Sequence, residues 1–558
     1  MARMNRRGLL GLFAAGSALP AGAAAAQARD AAFLHGVASG DPLADRVILW
    51  TRVTAGTPVS VEWRIWPLGE ARPTRATGRV ETGAERDWTV KVDATGLRPG
   101  VEYAYDFAIG DQVSPRGRCR TLPTGAVEDV VLAVASCQLH PGGLFNAWAA
   151  VSQMDRLDAV VHLGDYIYEY GSGADAYGMT TGRALGRIPE PAHEIVSLAD
   201  YRTRHAQYKS DPDLQAAHAR AAFICVWDDH EITNDAWLNG AENHQPEEGD
   251  WTTRKAAALK AYGEWMPIRE AGPNGLTEAI QRSFRFGDVA ALHMVETRLL
   301  ARAEQLDYAR DLTLMAGPDG TPVPDVAAFE ARRNDPARDL LGADQLNWLG
   351  GALTAHRDAA WQVLGNQVVM ARVAGPDVSA LASPEQVEAA LAGLPPQVAE
   401  GLRRVIPLFK AGLPFNLDSW DGYPAARERL YARFAEAGVQ PIVLAGDSHA
   451  FWVNELKDAA GARRAAEFAT SAISSPSPGD AVGDLPLGAL LNQANPEVVH
   501  CDQKAKGFLV LTLTADAAVA DLTAVSTILE KPFETRSLGR WRVQKTSEGI
   551  TAPTRVRT

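Results

Sequence analysis

Cysteine is scarce: Cys119, Cys137, Cys225 and Cys501 are the only four in a chain of 558 residues. So few thiols do not staple a fold of this size, which leaves each to serve as a ligand, a nucleophile or a small buried apolar group. Positive charge is also in deficit, with 55 Lys and Arg against 68 Asp and Glu and a formal net charge of −13. There is no sequence-wide basic footprint for nucleic acid, and any phosphate-bearing ligand would need positive charge supplied locally. Beyond the first thirty residues no run of about eighteen uninterrupted apolar residues occurs, so no membrane span is expected. A Gly-x-Ser-x-Gly elbow, a Walker-type loop and a repeat of fixed period are all missing. What is present is ordinary for a folded chain, 46% apolar and 22% charged. That composition supports a large core and roughly 2 to 4 domains.

The N-terminus reads as an address. Arg6-Arg7 precedes a short run rich in Ala, Gly and Leu that contains Pro20 and Gly22, followed by small-x-small cleavage sites near Ala24–Ala28. This is the pattern of a twin-arginine export signal over residues 1–28. The expected partner is the twin-arginine translocation machinery, and the expected location is periplasmic or secreted.

Residues 32–124 alternate with period two. Val59, Val61, Trp63 and Ile65 interleave with Ser60, Glu62 and Arg64, and Tyr103, Tyr105 and Phe107 repeat the pattern. Such stretches between Gly/Pro turns predict half-buried strands and a small all-β sandwich of fibronectin or immunoglobulin type. Leu97-x-Pro99-Gly100-x-x-Tyr103 has the form of a tyrosine corner. Residues 129–545 change character: strand-length apolar runs alternate with helix-length segments such as 143–154 and 254–265, which predicts a layered α/β domain. The Pro-rich 318–336 stretch is expected to be a surface excursion, and 381–414 an inserted helical pair.

Four apolar runs end in chemistry. Val130–Ala135 ends in Ser136-Cys137-Gln138, Ala159–Leu163 in Gly164-Asp165-Tyr166-Ile167-Tyr168, Phe223–Trp227 in Asp228-Asp229-His230-Glu231 with Asn234 beyond, and Ile442–Ala445 in Gly446-Asp447-Ser448-His449. Each is short enough to be a buried strand, and the carboxyl edge of an α/β sheet is where sites form. A single Asp at a strand end is as often a helix N-cap as a ligand. Four such ends converging are another matter: buried carboxylates in an already acidic chain must take up protons or bind cations. Cys137 thiolate and Tyr168 phenolate are donors for a transition metal such as ferric iron. Carboxylates with Asn234 suit calcium or magnesium.

These segments, with Leu163–Gly171, Trp227–Glu231, Gly446–His449, Asp200-Tyr201-Arg202 and Asp418–Pro424, resemble the PhoD-like alkaline phosphatases of the calcineurin-like metallophosphoesterase superfamily. The resemblance covers almost the whole chain. It implies a layered β-sandwich flanked by helices and an exported phosphatase acting on small phosphomonoesters and phosphodiesters, or alternatively a phospholipase D-like diesterase. It also implies an Fe3+ ion held by Cys137, Asp165 and Tyr168, with one or two Ca2+ ions. Asp165 would bridge, and Asp229, Asn234, Asp447 and His449 would be ligands or their close support. His230 would be a transition-state donor. Arg298 would contact substrate phosphate or pair with a carboxylate. Two positions depart from the pattern: Glu296 stands where relatives carry Asp, and Phe508 where they carry Tyr. The expected chemistry is in-line displacement on phosphorus, assisted by metal ions.

Overall fold

The computed structural model describes residues 33–557 apart from 71–74, 271–275, 318–321, 381 and 395. The twin-arginine reading of residues 1–28 therefore falls outside the described residues.

Two large sheets carry the molecule. In the first, of eleven strands, Val130–Ala135, Ala159–His162 and Phe223–Cys225 lie side by side in parallel, and Gly507–Leu513 adds antiparallel to Val130–Ala135. The second has seven strands, with Ala290–Met294, Trp361–Gly365, Ile442–Ala445 and Arg463–Ala469 parallel at its centre. Period two explains the layering, because successive side chains point to opposite faces. Ile442 and Leu444 join Val134, Val160 and Leu511 in the core between the sheets. Their neighbours Val443 and Ala445 pack outward, with Leu349 and Leu353 of helix Ala343–Ala355 and Leu430 and Phe434 of helix Pro424–Ala437. The strands are apolar on both faces because both faces are covered.

The N-terminal strands form a smaller sandwich. Five strands including Val59–Pro67 and Glu102–Ile109 make one sheet, and Val61, Ile65, Tyr105 and Phe107 meet Val47, Leu49 and Val90 across a separate core. The opposite layer, Val37–Gly40, Arg46–Arg52 and Thr89–Thr95, belongs to the eleven-stranded sheet: Gly40 pairs in parallel with Phe223. One sheet thus runs through the boundary between residues 32–124 and 129–545. Tyr103 closes a corner, its hydroxyl accepting the Arg98 N–H at 2.8 Å. The 381–414 segment forms helices Pro384–Leu391 and Pro396–Lys410. The 318–336 stretch contains, besides a short hairpin strand, the helix Val326–Arg333 capped by Asp325. Its capping Asp and apolar Phe329 outweigh the flanking prolines. All four cysteines are buried and unpaired.

Candidate metal centre

The strand ends converge. Cys137, Asp165 and His449 bring ligand atoms within 4.8 Å of one another, as do Asp165, Asp229 and His230, and also Asp228, Asp229 and Asp447. Asp165 is common to the first two groups and Asp229 to the last two, so the groups form one chain of adjoining donor sets. None of these aspartates caps a helix; each sits in a turn after its strand.

The backbone is strained to achieve this. Eight non-glycine residues among those described have positive φ, and five of them are Cys137, Asp165, Asp235, Asp447 and His449. Left-handed conformations cost about 1–2 kcal/mol each for L-residues, and such strain gathers at functional sites. Glycine is required beside them: Gly164 has φ of +107°, and a Cβ there would lie 2.4 Å from the Asp228 backbone nitrogen.

Two buried carboxylates of the same motifs, Glu231 and Glu169, hold the donors in place. Glu231 accepts the N–H groups of Asp165 at 3.0 Å, of Asp228 at 2.8 Å and of Tyr166, clipping two strand ends together. Burial pushes its carboxyl up to about 8, against the pull of those N–H groups. Glu169 is fully buried and meets His230 Nδ1 at 2.7 Å, while its other oxygen accepts from Asn234 N, Asn243 Nδ2 and Thr233 Oγ1. Burial alone would raise Glu169; the facing His230 instead holds it below the usual carboxylate range. His230 is itself lifted well above its ordinary value, since Glu169, Asp229 and Asp165 outweigh desolvation. Its ring lies 4.1 Å from that of Tyr168. With Nδ1–H given to Glu169, Nε2 is the ring atom left for other work.

His449 is oriented in the same way. Its Nδ1 donates to Pro476 O at 2.6 Å, which leaves the Nε2 lone pair free, 3.3 Å from the Tyr168 hydroxyl. Burial drives its pKa down to about 3, so the ring is neutral, as a ligand must be. Tyr168 donates to Asp165 Oδ2 at 2.8 Å and accepts from Ser475 Oγ at 2.7 Å.

Arg298 supplies the positive charge that the strand-end motifs lack. It is completely buried, its Nε paired with Asp228, its Nη1 2.8 Å from Asp418 and its Nη2 3.1 Å from Asp447 and 3.6 Å from Asp229. All its side-chain partners are carboxylates. Glu296, the departure from the family pattern, accepts the N–H groups of Arg298, Leu299 and Leu300, a span its longer side chain covers. The Asn234 amide nitrogen donates to Glu242 at 3.2 Å. The departure at Phe508 lies beside Lys506, which is paired with Asp480 and Ser477.

One guanidinium does not satisfy this much acid. Desolvation, with neighbouring negative charge, pushes Asp165 and Asp447 well above the carboxylate range, and Asp228 to about 6. Burial likewise raises the Cys137 thiol and the Tyr168 phenol. Asp165 Oδ1 and Asp228 Oδ2 are buried with no hydrogen-bond partner. Unpartnered buried carboxylate oxygens between a thiol, a phenol and two oriented imidazoles fit cations, which reverse these shifts. The residues present could hold metal ions.

A two-sheet α/β sandwich with such a donor set at one edge defines a layered α/β protein with a candidate metal centre. The chain belongs to the PhoD-like phosphatase family: residues 132–522 match that family, and residues 18–123 match the PhoD-like phosphatase N-terminal domain. It is 36% identical over 444 residues to alkaline phosphatase D of Bacillus subtilis (strain 168), an alignment covering 76% of this chain and 65% of that protein, so the match spans just under two thirds of the relative. It is also similar to a solved structure of PhoD, at 30% identity and a TM-score of 0.75, over 95% of this chain and 93% of that one. The fold expected from the sequence is the fold observed. Among the described residues no helix is long and apolar enough to cross a membrane.

Proposed function

We propose that this chain is an exported, metal-dependent phosphatase that hydrolyses small phosphomonoesters and phosphodiesters at an iron and calcium centre. The observation that carries the reading is the run of three donor groups joined through Asp165 and Asp229. Cys137, Asp165, Tyr168 and His449 would hold ferric iron, because thiolate, phenolate and imidazole are donors for such an ion. Asp228, Asp229 and Asp447, all oxygen donors, would hold calcium. When bound, the ions supply Lewis acidity and the positive charge that phosphoryl oxygens need in this acidic site.

The chain's own residues do the rest. His230, kept protonated by Glu169, donates Nε2–H to an oxygen of the phosphoryl group as charge develops there. Arg298 acts as a positioning residue, holding four carboxylates at fixed separations. Water adds to phosphorus, the ester P–O bond breaks, and the alcohol leaves with a proton. No side-chain nucleophile is needed. Family membership and the likeness to alkaline phosphatase D support this reading over a non-catalytic metal site.

The test is elemental analysis of protein purified without chelators, together with orthophosphate release. Iron and calcium should be found, and Cys137→Ala should lose iron and turnover together on p-nitrophenyl phosphate and on bis-p-nitrophenyl phosphate. Full turnover with iron retained would defeat the assignment. Export through the twin-arginine route is tested by replacing Arg6 and Arg7 with Lys, which should leave the protein inside the cell.

A further inference from the structure

Beyond strand Arg463–Ala469 the chain leaves the second sheet and crosses the end of the first, where Ala472 bridges in parallel to Ser136. The residues that follow touch three of the four proposed iron donors. Ser474 and Ser475 give their backbone N–H groups to Cys137 O at 3.4 and 3.3 Å. Pro476 O takes the Nδ1–H of His449 at 2.6 Å. Between these contacts the Ser475 hydroxyl lies 2.7 Å from the Tyr168 hydroxyl and 2.8 Å from Cys137 O. Ser475 is completely buried, and its Oγ accepts the Leu139 N–H at 3.1 Å, which fixes the oxygen in place. A hydroxyl has one proton to give, and here two acceptors face it. Cys137 O is already served by two backbone N–H groups. The Tyr168 proton goes to Asp165 Oδ2 at 2.8 Å, and the His449 Nε2 that faces the phenol carries no proton of its own. Among the described residues Ser475 is therefore the one donor available to the Tyr168 oxygen.

We propose, building on the iron assignment made above, that Ser475 is a positioning residue of that centre. Its hydroxyl donates to the phenolate oxygen of Tyr168 and so sets how strongly that oxygen binds the ion. A neutral carbonyl and an anionic oxygen compete for one proton, and the hydrogen bond to the charged group is the stronger. With Tyr168 bound as a phenolate, the Ser475 proton therefore belongs to Tyr168 rather than to Cys137 O. Electron density drawn into that hydrogen bond is withheld from the metal. The ion is left a stronger Lewis acid and easier to reduce, as hydrogen bonds to ligand atoms tune other iron sites.

The experiment uses the iron-loaded full-length protein. A phenolate on ferric iron gives a visible charge-transfer band, assigned to Tyr168 by its loss in Tyr168→Phe. Ser475→Ala should move that band to longer wavelength and lower the reduction potential of the iron, because a phenolate without its hydrogen bond is the better donor. Ser475→Thr keeps the hydroxyl and should return both towards wild type. A merely structural serine would change melting and leave the band in place, so an unmoved band in iron-loaded Ser475→Ala overturns the proposal. A second measurement needs no variant of Ser475. Resonance Raman spectra of the wild type, loaded with iron in H2O and in D2O, should differ in the phenolate C–O stretch. Identical frequencies overturn the proposal even where Ser475→Ala fails to fold or to hold iron. Full phosphatase turnover by wild-type protein that contains no iron would instead remove the iron assignment itself, an outcome read from metal content before any variant is made.

Discussion

Glu169 offers the sharpest test of how the site works, because it touches His230 and none of the proposed metal ligands is among its hydrogen-bond partners other than the backbone of Asn234. Glu169→Gln keeps the shape. One amide oxygen can still accept from Asn234 N, Asn243 and Thr233, so the loop should stay folded. The amide nitrogen then faces His230 Nδ1, and both are donors. The imidazole must give up its Nδ1 proton or turn away, and the imidazolium loses its counter-charge. A hydrogen bond to a charged group contributes about 1.5–3 kcal/mol. If that energy acts in the transition state, kcat falls by about 10- to 150-fold while KM stays near its original value. Steady-state turnover of p-nitrophenyl phosphate, normalised to metal content, is the assay. The decisive control is a double-mutant cycle. If Glu169 acts through His230, then Glu169→Gln adds almost nothing to His230→Asn. Independent, multiplying losses would refute the argument, and so would a single Glu169→Gln variant within twofold of wild type at equal metal content.

Two further outcomes are expected away from that pair. Lys209 is buried with its ammonium over the rings of Trp50 and Tyr166, and burial lowers its pKa from 10.5 to about 7. Between those values the unfolded chain binds more protons than the folded one, so stability rises with pH across that window. Lys209→Met should therefore stabilise the protein by up to about 4 kcal/mol at pH 7 and by only about 1 kcal/mol at pH 10. Chemical denaturation at the two pH values measures this, and a pH-independent difference would contradict it. Gly164→Ala would place a methyl group 2.4 Å from the Asp228 nitrogen at a φ of +107°. A loss of about 3 kcal/mol or more is expected from the clash and strain, with reduced bound metal as Asp165 and Asp228 separate. Unchanged melting and metal content would show that the turn relaxes freely.

Much of this molecule is written in local pattern. Buried parallel strands advertise themselves as short, unbroken apolar runs, because both of their faces are covered; Val130–Ala135 and Ile442–Ala445 are legible for that reason. The side chains just past each run are legible too, since the residue after a strand necessarily lies at the sheet edge. Cys137, Asp165, Asp229, Asp447 and His449 are thus identifiable as a group from the sequence. The N-terminal alternation and the tyrosine corner are equally plain.

Tertiary structure alone decided how the pieces share charge and support. Arg298 stands about seventy residues from Asp228 and about 150 from Asp447, and no spacing rule couples them; only packing shows one guanidinium among four carboxylates. Glu169 lies within a motif whose neighbours attract attention, yet its part depends on meeting His230 from another loop. The continuity of one sheet across the N-terminal boundary was likewise invisible, because a strand's sequence records which faces are buried and not which strand lies at its edge. Local chemistry determined what each strand end could donate. The three-dimensional fold determined which donors meet, which proton each imidazole keeps, and which carboxylates are left for a cation, because those depend on distance and burial rather than on order along the chain.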